Sequence, residues 1–126
     1  MGYSALESIR IPSNCTVGEA AFRDCTSLKS VSFGNNVIIE SSGFSGCTSL
    51  INVNLTGVTT IGSLAFNNCA ALTSINIPIS VTNIGNGFCS QSGVTSITFD
   101  EGGTAPLVIT GSTSGWKPGA FRTLNS

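Results

Sequence analysis

One apolar pattern recurs along this chain every 22 residues. A leucine-like residue opens each unit at Leu6, Leu28, Leu50, Leu72 and Val94. Three residues later stands Ile9, Val31, Val53, Ile75 or Ile97, and two after that Ile11, Phe33, Leu55, Ile77 or Phe99. A phenylalanine returns at Phe22, Phe44, Phe66 and Phe88, and a cysteine follows it in the same register at Cys25, Cys47 and Cys69. A fixed period of this length dictates a stacked solenoid, because one unit alone cannot bury its apolar face and must lean on the next.

Each unit translates into local structure. In Leu28-Lys29-Ser30-Val31-Ser32-Phe33, apolar and polar residues alternate over the last four positions, which is the period of a half-buried strand. Leu28, Val31 and Phe33 then face inward and Ser30 and Ser32 outward. The same outward slots hold Asn52 and Asn54, then Ser74 and Asn76, then Ser96 and Thr98. Stacked coils place such strands parallel and about 4.8 Å apart, so these eight residues become two ladders on the concave face and form the candidate partner-binding surface. Pro12, Gly34, Gly57 and Pro78 end the strands, since proline has no N–H and glycine accepts unusual dihedrals. The return leg carries Ala21-Phe22, Gly43-Phe44, Ala65-Phe66 and Gly87-Phe88. A short helical or 3₁₀ turn is expected there, on the convex side.

The expected class is therefore α/β: a leucine-rich-repeat solenoid with a parallel sheet of about five short strands and helical turns behind it. All 126 residues are expected to form one domain, with coils starting near 6, 28, 50, 72 and 94 and an irregular tail over 100–126.

The residues resemble the BspA-like (Treponema-type) leucine-rich repeats. Leu72-Thr73-Ser74-Ile75-Asn76-Ile77-Pro78-Ile79-Ser80-Val81-Thr82-Asn83-Ile84-Gly85 nearly spells the first part of that consensus, and Ala21-Phe22-Arg23-Asp24-Cys25-Thr26-Ser27-Leu28 matches the second. The likeness covers about residues 5–99. The family's period is one residue longer, and each coil here lacks one residue, before Val58 in the third and before Phe88 in the fourth. The resemblance implies a surface-exposed or secreted adhesion or recognition module rather than an enzyme.

Composition supports a neutral binding surface. Charged residues are 9 % of the chain, against roughly 25 % in ordinary globular domains. From Ser41 to Phe99 there is no Asp, Glu, Lys or Arg. The net charge is −1, and Arg10, Arg23, Lys29, Lys117 and Arg122 do not cluster, so neither nucleic acid nor an anionic membrane is expected as partner. No apolar run reaches the roughly 20 residues needed to cross a bilayer. The opening Met1-Gly2-Tyr3-Ser4 shows no signal peptide, and the whole reads as a processed or excised piece of a longer array.

Five cysteines raise the question of a disulfide scaffold or a metal site. Cys25, Cys47 and Cys69 form a row rather than four convergent ligands, with no C-x-x-C pair and no histidine in the chain. A buried ladder of small apolar thiols is the favoured reading; a disulfide between neighbouring rungs and a metal site stay as alternatives. Cys15 and Cys89 fall outside the ladder. No metal or cofactor is expected. Catalysis lacks a base, and the serines have neither a histidine partner nor a nucleophile elbow. Asp100-Glu101 are the closest acid pair, and Gly111–Gly115 lacks the G-K-[ST] of a phosphate loop.

The tail breaks the rhythm with an insertion of about eleven residues before Ala120-Phe121. Trp116 within it is read as a cover for the end of the core, with a sugar-stacking platform as the alternative. Two functions remain. One is a recognition or adhesion module at the cell surface or outside the cell, holding a protein or glycan on the concave ladder. The other is a structural protein whose open ends stack head to tail into fibres or matrix. A minor third reading, a water-ordering ice-binding face, is weakened because Thr98 is the one threonine among the eight ladder residues.

Overall fold

The computed structural model describes residues 5–99 and the short strand 108–109. The Asp100-Glu101 pair, the stretch 111–115, Trp116 and Phe121 lie outside the described residues. The chain winds through about four turns of a parallel β-solenoid. The first coil carries β1 (Ser8–Ile11) and β2 (Thr16–Val17), and the second β3 (Ser30–Phe33) and β4 (Val37–Ile39). The third carries β5 (Asn52–Asn54) and β6 (Val58–Ile61), and the fourth β7 (Ser74–Ile77) and β8 (Asn83–Ile84). Two strands of a fifth coil follow, β9 (Ser96–Phe99) and β10 (Val108–Ile109).

The odd-numbered strands make the concave face, where the register follows the sequence period. Ser8 pairs with Ser30, Ser30 with Asn52, and Ser74 with Ser96. A second parallel sheet, in the order β10-β8-β6-β4-β2, runs unbroken along another side of the coil. Its inward row is Val17, Ile39, Ile61 and Ile84, all buried. The residue that each coil lacks accounts for its irregular register. Cys15 to Val17 and Val37 to Ile39 each span one intervening residue, whereas Val58 to Ile61 and Val81 to Ile84 span two. The pairing consequently slips between Val37 and Ile38. The additional Thr59 is held there by donating its hydroxyl to the Val37 carbonyl at 3.3 Å.

The convex leg corrects the expected α/β class. Among the described residues there is no helix, so the architecture is β throughout and the helical or 3₁₀ convex face is not found. A helix needs successive N–H groups to bond within their own segment at negative φ. Here the N–H groups alternate. Ala21, Arg23 and Cys25 donate three residues back to Gly18, Ala20 and Phe22, while Ala20, Phe22 and Asp24 donate to Ser41, Gly43 and Ser45 of the next coil. The same alternation recurs from Ser42 to Cys47 and from Leu64 to Cys69. Ala20, Asp24, Ser42, Gly46, Leu64 and Asn68 take positive φ of 55–80°, the third position of a type II turn. Each leg is thus a run of tight turns stitched to the neighbouring coil.

The core fills the space between these three sides. Phe44, Phe66 and Phe88 are wholly buried, as are Leu28, Leu50 and Leu72. The rings stack along the solenoid axis, Phe22 on Phe44 at 5.3 Å and Phe44 on Phe66 at 5.6 Å between centroids, with interplanar angles of 7° and 6°. Phe33 meets Phe44 edge-on at 6.0 Å. Such offset aromatic contacts add to the area they bury.

Candidate functional site

The strands β1, β3, β5, β7 and β9 hold every residue of the expected ladders at outward positions. Asn52, Asn54, Ser74, Asn76, Ser96 and Thr98 are exposed, and Ser30 and Ser32 are half-buried. Two further residues belong to the same rows. Ser8 lies beside Ser30, and Arg10 beside Ser32. The 22-residue spacing extended one coil toward the N-terminus points to both. Arg10 puts one positive charge at the head of an otherwise uncharged grid. The one ion pair among the described residues joins Arg23 to Asp24 at 3.9 Å on the convex side, so no carboxylate in that region engages Arg10. Ser8, Arg10, Ser30, Ser32, Asn52 and Asn54 line an open depression of about 530 Å³ over the first three coils.

The rows are partly tied together. The Thr98 hydroxyl donates to Asn76 Oδ1 at 2.6 Å across neighbouring rungs. Asn54 Oδ1 accepts the Thr56 N–H at 3.1 Å and so caps the turn that ends its strand.

The concave sheet is not continuous. It consists of β1-β3-β5 and, separately, β7-β9. Strands β5 and β7 form no ladder with one another, although β6 and β8 of the same coils are paired. Two local features coincide with the break. The turn after Leu55 is one residue shorter than in its neighbours, and Val58 N–H takes the Leu55 carbonyl at 2.9 Å. Gly57 makes that turn at a φ of 94°, so close to the previous coil that a Cβ would strike the Gly34 carbonyl oxygen. In the next coil the strand ends at Pro78, which has no N–H to offer. Val53 is half-buried at the edge of this break, while Val31 and Ile75 on either side are 3 % exposed.

The cysteines form the expected row. Cys25, Cys47 and Cys69 are free and buried; Cys89 is buried as well and Cys15 half-buried. The ladder thiols also act as donors. Cys47 Sγ reaches the Phe22 carbonyl at 3.2 Å and Cys69 Sγ the Phe44 carbonyl at 3.3 Å, each in the preceding coil. Burial pushes the Cys47 and Cys69 thiols up to about 12 and Cys89 up to about 11. Thiols held neutral and covered react slowly. Native alkylation at neutral pH should therefore leave Cys25, Cys47, Cys69 and Cys89 unmodified while Cys15 labels first. Mass measurement before and after denaturation checks this, and rapid native labelling of the three ladder residues would contradict their placement. Among the described residues no group of three or more His, Cys, Asp or Glu gathers as a metal site would require, and no helix is long and apolar enough to cross a membrane.

Residues 2–105 match the BspA type leucine rich repeat region, in six copies. The fold is similar to the crystal structure of a leucine-rich repeat protein from Bacteroides ovatus ATCC 8483, with a TM-score of 0.55 and 26% sequence identity. That likeness covers 82% of this chain and 33% of the other, so the chain spans about a third of the length of its relative. No curated protein matches the sequence.

Proposed function

Because the chain belongs to the BspA-type leucine-rich repeat family, we propose that it is a non-enzymatic recognition and adhesion module, displayed at the cell surface or secreted, that holds a protein or glycan on its concave rows. The observation that carries this reading is the grid itself. Parallel strands fix Ser8, Ser30 and Asn52, and beside them Arg10, Ser32 and Asn54, at regular spacing around an open depression. Such a surface recognises its partner by hydrogen bonds and shape. Apart from Arg10 the rows are neutral, so binding should vary little with salt.

Replacing Asn54 and Asn76 by lysine tests the rows. Two cations then stand at outward positions, and the core is untouched. The variant loses the Asn54 cap on Thr56 and the Thr98 hydrogen bond to Asn76, each worth about 1 kcal/mol, so it should fold with a lower melting temperature. Its binding to a panel of immobilised glycans and matrix proteins should fall well below that of the parent. Undiminished binding by the folded variant would place the site away from the rows. A second reading, head-to-tail assembly, is favoured by the low charge of the chain, 9 % of its residues, which offers little repulsion between stacked solenoid ends. Sedimentation across a concentration series separates the two, since assembly produces polymers that grow with concentration.

A further inference from the structure

We infer that Asn14 and Asn54 are acceptor sites for N-linked glycans, and that the glycan on Asn54 screens the concave rows. The inference rests on the chain reaching the cell surface or the medium, because glycans of this class are transferred to chains in a secretory pathway. It goes beyond the row reading by assigning a covalent modification that decides whether the rows are open.

Two asparagines open the pattern Asn-x-Ser/Thr with a middle residue other than proline: Asn14-Cys15-Thr16 and Asn54-Leu55-Thr56. Asn76, also on the rows, is followed by Ile77 and Pro78 and does not. The fold turns both patterns outward. Leu55 is 2 % exposed and Cys15 half-buried, whereas Asn14, Thr16, Asn54 and Thr56 are all exposed. A core-facing middle residue thus leaves the amide and the hydroxyl of each pattern to solvent. The polar groups are also uncommitted where the chemistry needs them. Asn54 accepts the Thr56 N–H through Oδ1 at 3.1 Å, and Asn14 accepts from Asn36 Nδ2 through Oδ1 at 3.1 Å. Neither spends its own Nδ2 on any described residue, unlike Asn36 and Asn67, whose Nδ2 atoms donate to Asn14 and to Ser45. The Thr16 and Thr56 hydroxyls likewise make no hydrogen bond among the described residues. Those of Thr59, Thr82, Thr95 and Thr98 each donate to a neighbouring coil.

In the transfer, asparagine Nδ2 attacks C1 of an oligosaccharide carried on a lipid pyrophosphate. The bond from Nδ2 to C1 forms, the bond from C1 to the pyrophosphate oxygen breaks, and Nδ2 gives up one proton. The attached sugars are bulky and hydrated. Asn54 belongs to the lining of the depression over the first three coils and pairs with Ser32 in register, so a glycan there covers the rows at their middle. Asn14 lies on the turn between β1 and β2, outside the rows, and its glycan leaves them open. Both glycans supply solvation that charge does not. No charged residue occurs between Ser41 and Phe99, and Ile51, close to Asn54 in the same coil, is exposed. Surfaces with so little charge associate readily unless something else keeps them hydrated.

The test secretes the whole chain from eukaryotic cells and removes its glycans with an amidase in heavy-oxygen water, which converts each glycan-bearing asparagine to a labelled aspartate. Mass analysis should find the label at Asn14 and Asn54 and at no other asparagine. Thr56→Val keeps Asn54 and the backbone N–H that it caps but removes the hydroxyl that the transferase reads. The label should then vanish from Asn54 alone, with the fold retained. Against the panel of immobilised glycans and matrix proteins, secreted Thr56→Val should bind about tenfold or more tightly than the secreted parent. An unlabelled Asn14 or Asn54 in the folded, secreted parent would overturn the proposal, as would a label on Asn54 that survives Thr56→Val. Equal binding by parent and variant, where the unglycosylated chain binds, would overturn the screening of the rows. The row reading is scored separately, on unglycosylated chain made in bacteria. If that chain fails to bind, the rows are not the site, while the label still decides the glycans.

Discussion

Phe66→Ala is expected to lower stability by about 3–5 kcal/mol, the range for removing a large buried aromatic side chain. Phe66 has no exposed surface and stacks on Phe44 at 5.6 Å, so the substitution leaves a void in the middle of the ring column. Neighbouring coils cannot close it cheaply. The backbone beside the ring is pinned by the Phe66 N–H to the Phe88 carbonyl at 2.6 Å and by the Phe44 N–H to the Ala65 carbonyl at 2.8 Å. Domains of this size are stable by only about 5–15 kcal/mol, so the melting temperature should drop by roughly 10 °C or more. Phe22→Ala, at the half-buried end of the column, should cost distinctly less. Thermal melts of both variants check the ordering. Equal losses, or a shift of only a degree or two for Phe66→Ala, would mean that the ring column is not where the stability lies.

The concave side of this molecule was legible in the sequence because its causes are local and periodic. The alternation Ser30-Val31-Ser32-Phe33 predicts a strand, and the spacing of 22 predicts its partner, which the structure places residue for residue. The second sheet was harder to read. Its strands are two to four residues long, and the missing residue falls at different points of the coil, so no single period marks them. The convex leg misled for a physical reason. Phe22, Cys25 and Leu28 recur every third residue, as on one face of a helical turn, but the groups that decide the conformation are carbonyls of another coil. Gly43 and Ser45 accept from Phe22 and Asp24 at 2.8 Å, and no pattern within one repeat announces that. Of the candidate site, the eight ladder positions followed from the period. Ser8 and Arg10 followed equally well but lie in the coil whose strand begins nearest the N-terminus. The break in the concave sheet beside Val53 was out of reach, since it lies where a shortened turn in one coil meets the next coil and no repeat period marks it.

Stability is expected to fall steeply as pH rises above about 9. Burial is the main cause, holding Cys47 and Cys69 up to about 12 and Cys89 up to about 11, against an ordinary value of 9.0. Charge on Cys47 further disfavours charge on Cys69, the next rung. In the unfolded chain these thiols ionise near their ordinary value, while in the native state they keep their protons. Between those limits the native state binds more protons, so removing protons from solution favours unfolding. The stability present below pH 9 is lost as pH climbs toward the folded values, at roughly 1 kcal/mol per thiol for each pH unit. With three such thiols, several kcal/mol should be gone by about pH 11, enough to unfold a domain of ordinary stability. Urea midpoints in reducing buffer from pH 8 to 11 measure this. Replacing Cys47 and Cys69 with alanine should flatten the profile, although it removes the thiol bonds to Phe22 and Phe44 and lowers the plateau. A parent profile that stays level to pH 11, or one equally steep in the alanine variant, would show that the buried thiols do not set the alkaline limit of this fold.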